Sequence, residues 1–364
     1  MTPRRNAIKT AAFWVASLSP WQSVLAAADA AFYPQVKPRR LVFPKDFGSH
    51  PEYRTEWWYL TGWLGEGPSA IGFQLTFFRS RTQHAADNPS RLAPQQLLFA
   101  HAALAVAKQD VFLHANRAGR LSGTSLRAET ADTNLQFEDW HLRRLQRVAS
   151  EVYEGRFAGE GFAMSFEAST SRPAILRGQE GLSQKGPQAE QASYYYSRAP
   201  LRVNASVQLG KQTQLMQGQA WIDHEWSSQL LMPGAIGWDW VGINLLDGGT
   251  LMAFQIRNNK SEPLYAHVDA RDREGMPAKG WRGLKWQPRG SWRSKSLIEY
   301  PIPMDLVVGG QSFRLVPLMM AQEVDARSST GGFYWEGAVS LMREDRILGH
   351  GYLELTGYGA PLRI

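Results

Sequence analysis

The chain of 364 residues contains no cysteine. That excludes a disulfide scaffold, a thiolate zinc site, an iron–sulfur cluster and a cysteine nucleophile. Concentrated positive charge is also missing. The formal net charge is +7, but beyond the first thirty residues no Lys/Arg run exceeds a pair. Nucleic-acid binding is therefore weakly supported, and a mild attraction to anionic membrane surfaces or substrates is what remains. There is no Gly-x-Ser-x-Gly, no phosphate-cradling glycine loop, no dinucleotide fingerprint and no His-Glu-x-x-His. These absences disfavour a classical serine hydrolase, a nucleotide enzyme and a zincin. No metal site and no cofactor is expected. Helix-length amphipathic periods are few. What the chain has in excess is tryptophan, 14 in all.

Residues 1–30 read as an export signal. Arg4 and Arg5 precede a mostly apolar run from Thr10 to about Leu25, and Ala28-Asp29-Ala30 fits a small-x-small cleavage site. Pro3-Arg4-Arg5-Asn6-Ala7-Ile8-Lys9 resembles a twin-arginine signal. The apolar run is short and broken by Pro20, so cleavage is expected over retention as an anchor. The mature protein is expected to be periplasmic or secreted.

Residues 31–52 carry four prolines and read as an extended lead-in. Beyond Trp57, short aromatic or β-branched runs alternate with turn residues. Examples are Ile71–Phe78, Tyr153–Phe157, Phe162–Phe166, Leu201–Leu209, Leu251–Ile256, Tyr300–Val308 and Ala338–Met342. Asp247-Gly248 and Gly309-Gly310 mark turns between them. Phe99–Asn116 is compatible with helix or strand, and Glu138–Gln146 with a short helix or a loop. The fold class is all-β, antiparallel, in barrels or sandwiches with few short helices.

An aromatic strand followed by Phe-Gln and an arginine occurs twice. Glu56-Trp57-Trp58-Tyr59 precedes Phe73-Gln74-Leu75 and Arg79; Trp238-Asp239-Trp240 precedes Phe254-Gln255-Ile256 and Arg257. Gln74 and Gln255 are 181 residues apart, a domain-sized offset that implies two related β domains in tandem. The expected division is 31–225 and 226–364.

Three clusters could carry chemistry. In Trp221-Ile222-Asp223-His224-Glu225-Trp226, strand alternation places His224 and Trp226 on one face and Asp223 and Glu225 on the other. His beside acids suits acid–base work, or a hydrogen-bonded core where the domains meet. Asp239 lies between Trp238 and Trp240. Shielding there would raise its pKa and make it a general acid, or it would hydrogen-bond backbone at a strand end. Glu56 precedes Trp57 and Trp58, and an ion pair with Arg79 or Arg54 is its structural reading. His101 and Tyr195 fit core packing or a ligand wall. Tyr334-Trp335-Glu336-Gly337 and Gly351–Tyr358 read as closing strands of the second domain.

Five of these segments together carry a resemblance. They are His50–Gly62, Phe73–Arg79, Gly218–Ser228, Gly237–Trp240 and Tyr334–Gly337, and seven of the tryptophans lie in them. From about residue 45 to the end, the chain resembles the AttH-like, lipocalin-like proteins related to carotenoid 1,2-hydratases. The resemblance implies two tandem lipocalin-like antiparallel β-barrel domains. It also implies a hydrophobic substrate, since carotenoid hydratases add water to a terminal isoprenoid double bond, while many bacterial members are labelled secreted hydrolases. Carried onto this sequence, the pattern makes Asp239 the acid and gives Trp226 the cation to stabilise, with Trp238 beside it. His224 or Glu225 would direct the water. Glu56, Trp58, Gln74, His101, Tyr195, Trp238 and Trp240 would line the substrate site.

Two functions stay open. One is an exported hydratase (hydro-lyase) or hydrolase acting on an isoprenoid or lipid. The other is a non-catalytic carrier that holds a hydrophobic ligand, in possible contact with a membrane surface. An enzyme should gather His224, Asp239 and Glu56 or Glu225 around one pocket; a carrier should leave them in salt bridges outside an apolar cavity.

Overall fold

The computed structural model describes residues 33–84, 88–90, 93–121 and 124–362. The expected export signal lies outside these residues. The N-terminal sheet takes β1 (Thr55–Leu64), β2 (Ile71–Arg81), β3 (Gln96–Val106), β4 (Val111–Arg120), β5 (Leu126–Ala128), β6 (Asn134–Phe137), β7 (Trp140–Gln146), β8 (Glu151–Gly159), β9 (Phe162–Thr170), β10 (Ile175–Leu176), β11 (Leu182–Gln184), β12 (Ala192–Leu209) and β13 (Gln212–Ser227). The C-terminal part takes β14 (Ala235–Leu245), β15 (Thr250–Asn258), β16 (Pro263–Arg271), β17 (Leu284–Pro288), β18 (Trp292–Arg293), β19 (Glu299–Tyr300), β20 (Met304–Val308), β21 (Gln311–Pro317), β22 (Glu323–Asp325), β23 (Phe333–Arg343) and β24 (Arg346–Leu355). Among the described residues the helices are three short 3-10 turns. The two halves are lipocalin-like antiparallel barrels.

The first sheet runs from β4 through β3, β2, β1, β13, β12, β9, β8, β7 and β6 to β5, and the second from β16 through β15, β14, β24, β23, β21 and β20 to β17. The sheets change over between Ser227 and Ala235. Phe99–Asn116 is strand, in β3 and β4. Glu138–Gln146, read as a short helix or a loop, is instead mostly the strand β7: Trp140 and Leu142 turn into the core while His141 and Arg143 face out. Tyr300–Val308 is broken by Pro301 and Pro303 into β19 and β20, because proline supplies no ladder donor. Gly248, Gly309 and Gly310 have positive φ at the turns that their sequences marked.

Each barrel is filled by its own side chains. Trp58, Phe73, Phe77, Trp140, Phe157 and Phe166 pack the first. Val241, Ile243, Leu306, Leu315, Trp335 and Leu353 pack the second. Burying each such side chain contributes about 1.5–3 kcal/mol. A third cluster joins the barrels. Tyr59, Tyr195 and Trp221 from the first pack on Trp240, Met252, Phe254, Ala338 and Tyr352 from the second.

The seam explains a change of pattern along the long strands. The outer half of the β12–β13 hairpin alternates or is exposed, whereas Ala192–Ala199 and Ala220–Ser227 are buried on both faces. Strands covered on both sides lose alternation. At the seam a Cβ on Gly72 would lie 2.5 Å from Ala338 Cβ, so glycine permits the barrels to meet there.

The tandem repeat is real in architecture but shifted in register. Gln74 stands opposite Thr61 and faces the seam; Gln255 stands opposite Asp239 and points into the second barrel. A one-residue difference in pairing exchanges the faces of a strand.

Candidate functional site

The sequence-predicted residues fall into three places. The first is inside the N-terminal barrel. Glu56 Oε1 meets His50 Nδ1 at 2.8 Å and His224 Nε2 at 2.9 Å, and Glu56 Oε2 takes Arg79 Nε at 2.8 Å. His50 Nε2 reaches Asp46 at 3.0 Å, and His224 Nδ1 meets the Tyr196 hydroxyl at 2.9 Å. Trp226 stacks on His50 with ring centroids 3.7 Å apart, and Trp58 stacks on His224 at 4.4 Å.

Protonation in this network follows from the partners. Both ring nitrogens of His50 face carboxylates, so both carry protons and His50 is an imidazolium. Burial opposes that charge, but Glu56 and Asp46 raise its pKa. Burial likewise opposes the charge on Glu56, yet Arg79 and His50 hold its carboxyl well below the usual range. Burial pushes His224 down to about 4, so it stays neutral with its proton on Nε2 toward Glu56. The ligand atoms of His50, Glu56 and His224 lie within 4.8 Å of one another, a spacing a metal could use. Arg79 and the His50 imidazolium already neutralise the carboxylate, and no ring nitrogen of the pair is a free electron donor toward Glu56. The donor set fits a closed ion network better than a cation site.

The second place is inside the C-terminal barrel. Asp239 takes hydrogen bonds from Gln255 (2.6 Å), Arg257 (2.9 Å) and Tyr358 (3.1 Å). Burial raises its pKa against the pull of Arg257. The structure does not bring His224 and Asp239 together. They point into different barrels and share no hydrogen-bond partner. The gathering expected of an enzyme is thus not made by His224, Asp239 and Glu56, because a strand's alternation sends neighbouring positions to opposite faces and each barrel keeps its own interior.

The third place is the seam, where Gln74, His101, Tyr195, Glu225, Trp238 and Trp240 converge. Glu336 of β23 stands directly opposite Glu354 of β24. Glu336 is buried, while Glu354 is partly exposed. Trp238 Nε1 donates to Glu354 at 2.8 Å, and Trp57 stacks over Trp238 at 6.3 Å. Tyr59, Gln74 and Tyr334 reach the Glu336 carboxyl. Even so, Glu336 Oε1, the Tyr59 and Tyr352 hydroxyls and Gln74 Oε1 are buried without a good hydrogen bond. Unpaired buried polar groups are uncommon and costly, and they are groups a ligand or water would satisfy.

Like charges directly opposite on adjacent strands repel. Burial, and then the Glu354 charge, put the Glu336 pKa well above the carboxylate range. Burial pushes Glu354 up to about 7, helped by Asp223, Glu225 and Asp239 and opposed by the Trp238 hydrogen bond. Glu336 therefore keeps its proton at neutral pH, and the two acids titrate as a coupled pair.

Beside them Asp223, pushed to about 6 by burial against the pull of Arg177, bonds to Tyr195, Trp221 and Ser197. Trp240 Nε1 donates to the Tyr195 hydroxyl at 3.1 Å. Glu225 is paired with Lys185 at 3.0 Å and with Ser193. The predicted two faces of the Asp223–Trp226 run are present as expected. A cleft of about 340 Å³ lined by Arg54, Thr55, Leu231 and Ala235 adjoins the seam, since Leu231 and Ala235 pack on the same aromatic cluster as Trp57 and Trp238. The larger groove, about 660 Å³, crosses the outside of the first barrel by Glu154, Arg156 and Gln217 and touches none of these acids.

Sequence reasoning missed Glu336 and Glu354 as site residues. Their signal was present but faint: each closing strand places a tyrosine two residues before a glutamate, and both lie on one face.

Comparison with known proteins agrees with this architecture. The AttH-like family model matches residues 34–358. The crystal structure of a protein from Nitrosomonas europaea described as an AttH is 38% identical, with a TM-score of 0.79 over 89% of this chain and 99% of that one. Kievitone hydratase from Nectria haematococca has a TM-score of 0.65 at 11% identity, over 90% of this chain and 98% of that one, which is a likeness of fold. No curated protein matches the chain. With most of its length matched in sequence and in structure, the chain belongs to the AttH-like family.

Proposed function

We propose that the protein binds a hydrophobic isoprenoid or lipid in the seam between its barrels and adds water to it, or hydrolyses it, by acid–base chemistry. The observation that carries this reading is the opposition of Glu336 and Glu354 beneath tryptophan and tyrosine faces. The protonated acid of the pair delivers its proton to an alkene carbon or a leaving group. Trp57 and Trp238 shield the electron-poor centre that results, and the other carboxylate takes the proton from the attacking water. The bookkeeping closes, since one proton leaves the pair and one returns. The shared fold with a protein named as a hydratase is consistent with this chemistry.

The carrier reading would use the same seam, since side chains pack the interior of each barrel. Export is part of the proposal and rests on Arg4-Arg5, the apolar run and Ala28-Asp29-Ala30. The test is to purify the protein from its native cell envelope and identify co-purifying lipids by mass spectrometry. Those lipids are then incubated with wild type, Glu336→Gln and Glu354→Gln. Gain of water by wild type, lost in both variants, is expected. Binding without turnover by wild type leaves the carrier reading, and full turnover by both variants overturns the chemistry.

A further inference from the structure

Glu336 needs a route by which its proton is exchanged with solvent. Its carboxyl is buried, and the way past Glu354 and Trp238 is the one a hydrophobic ligand would fill and dry. A second route runs along the outer face of the first barrel, past His101 of β3. Tyr334, two residues before Glu336 on the same face of β23, meets His101 Nδ1 at 2.6 Å through its hydroxyl. His101 Nε2 meets Ser329 Oγ at 2.8 Å. Ser329 sits in the turn between β22 and β23, is partly exposed, and donates to Ala326 O at 3.1 Å. That turn is held against the first barrel by Asn116, which bonds to Ser328 and to Asp325 O.

The donor and acceptor roles fall into one consistent order. Ser329 spends its proton on Ala326 O, so it accepts from His101 Nε2–H. Nδ1 is then an acceptor and takes the Tyr334 hydroxyl proton. The Tyr334 oxygen is left to accept from Gln74 Nε2 at 3.5 Å, and Tyr334 lies beside the Glu336 carboxyl on the same face of β23. His101 is nearly inaccessible, and burial pushes it down to about 3, so it is neutral and able to pass a proton between its two nitrogens' partners.

We infer that Ser329, His101 and Tyr334 form a proton relay that links Glu336 to the surface turn independently of the tryptophan-lined mouth. A proton taken from Tyr334 at Nδ1 is matched by one given to Ser329 at Nε2, the Ser329 hydroxyl turns from Ala326 O and gives its own proton to water at the exposed turn, and Tyr334 is refilled from Glu336. The reverse sequence returns a proton to the carboxyl. The relay is a positioning and supply device, and it rests on the reading of Glu336 as an acid that gains and loses a proton.

The test needs no substrate. The infrared band of the protonated carboxyl is followed after transfer of the folded protein into heavy water, and Glu336→Gln assigns it. Ser329→Ala and His101→Phe are expected to slow the exchange of that band several-fold, while amide exchange in the core strands stays unchanged. Ser329→Ala lies at a partly exposed turn, so it reads the relay even if His101→Phe does not fold. An exchange rate unaltered in Ser329→Ala, with the band present, overturns the relay and leaves the acid pair standing. Absence of any protonated Glu336 or Glu354 band overturns both.

Discussion

Glu336 and Glu354 face each other across the β23–β24 ladder, on the side of the second barrel that the first barrel covers. Among the described residues neither forms an ion pair with a Lys, Arg or His. Trp238 and the tyrosines around them supply donors and shielding, and the proton kept on Glu336 relieves the repulsion.

Replacing Glu354 by glutamine should stabilise the protein at alkaline pH. The folded pKa is raised to about 7 from 4.5, so ionisation costs stability as pH rises between those values. Below 4.5 both states hold the proton and the variant gains nothing. Urea unfolding midpoints of wild type and Glu354→Gln across this range should diverge upward with pH. Parallel curves would show that Glu354 ionises freely in the fold.

Glu56→Gln should destabilise the first barrel by about 3–5 kcal/mol, because it strands Arg79 and the His50 imidazolium in the core. The network has its own pH window. His50, with its pKa raised above 6.5, contributes fully below that value and loses its contribution as pH rises through the folded pKa. Glu56, held below 4.5, contributes above that value and loses its contribution as pH falls. A His50→Gln variant should therefore lose less stability than wild type between mildly acidic and alkaline buffer, measured by calorimetry.

Asp239→Asn tests whether this acid is structural. It weakens the hold on Arg257, whose guanidinium also reaches Thr356 O at the end of β24. A lowered melting temperature is expected, with turnover per folded molecule retained once a substrate is known. Native stability with abolished turnover would return Asp239 to the chemistry.

Gly72→Val should wedge the seam. Its Cβ would fall 2.5 Å from Ala338 Cβ and 3.3 Å from the Tyr352 hydroxyl, in contact with the second barrel. Overpacking of this kind costs about 1–3 kcal/mol. The barrels should also melt less cooperatively, and Ala338→Gly in the same chain should recover part of the loss. An unchanged single transition would mean the seam yields easily.

Much of the architecture was legible in the chain. Alternating aromatic runs gave the strands, and the spaced tryptophan motifs gave the family and its tandem barrels. The turn glycines gave hairpins, and alternation gave the opposite faces of His224 and Asp223. The partner of Glu56 was legible only as a choice between Arg54 and Arg79, and the β1–β2 register decided it by setting Arg79 directly opposite. Glu138–Gln146 misled because its apolar positions are too few to display a period before pairing with β6 and β8 supplies one.

The sequence by itself determined which residues could form strands and which side of each strand they would share, because those follow from local covalent geometry and a two-residue period. The tertiary structure alone decided which faces meet. Register set Glu336 against Glu354, and the docking of two barrels turned outward-facing residues into a seam that buries Tyr59 and Trp240 and half-buries Trp57 and Trp238. Closure of each barrel kept Asp239 and His224 apart. Those outcomes depend on contacts between residues far apart in the chain, which no local pattern encodes.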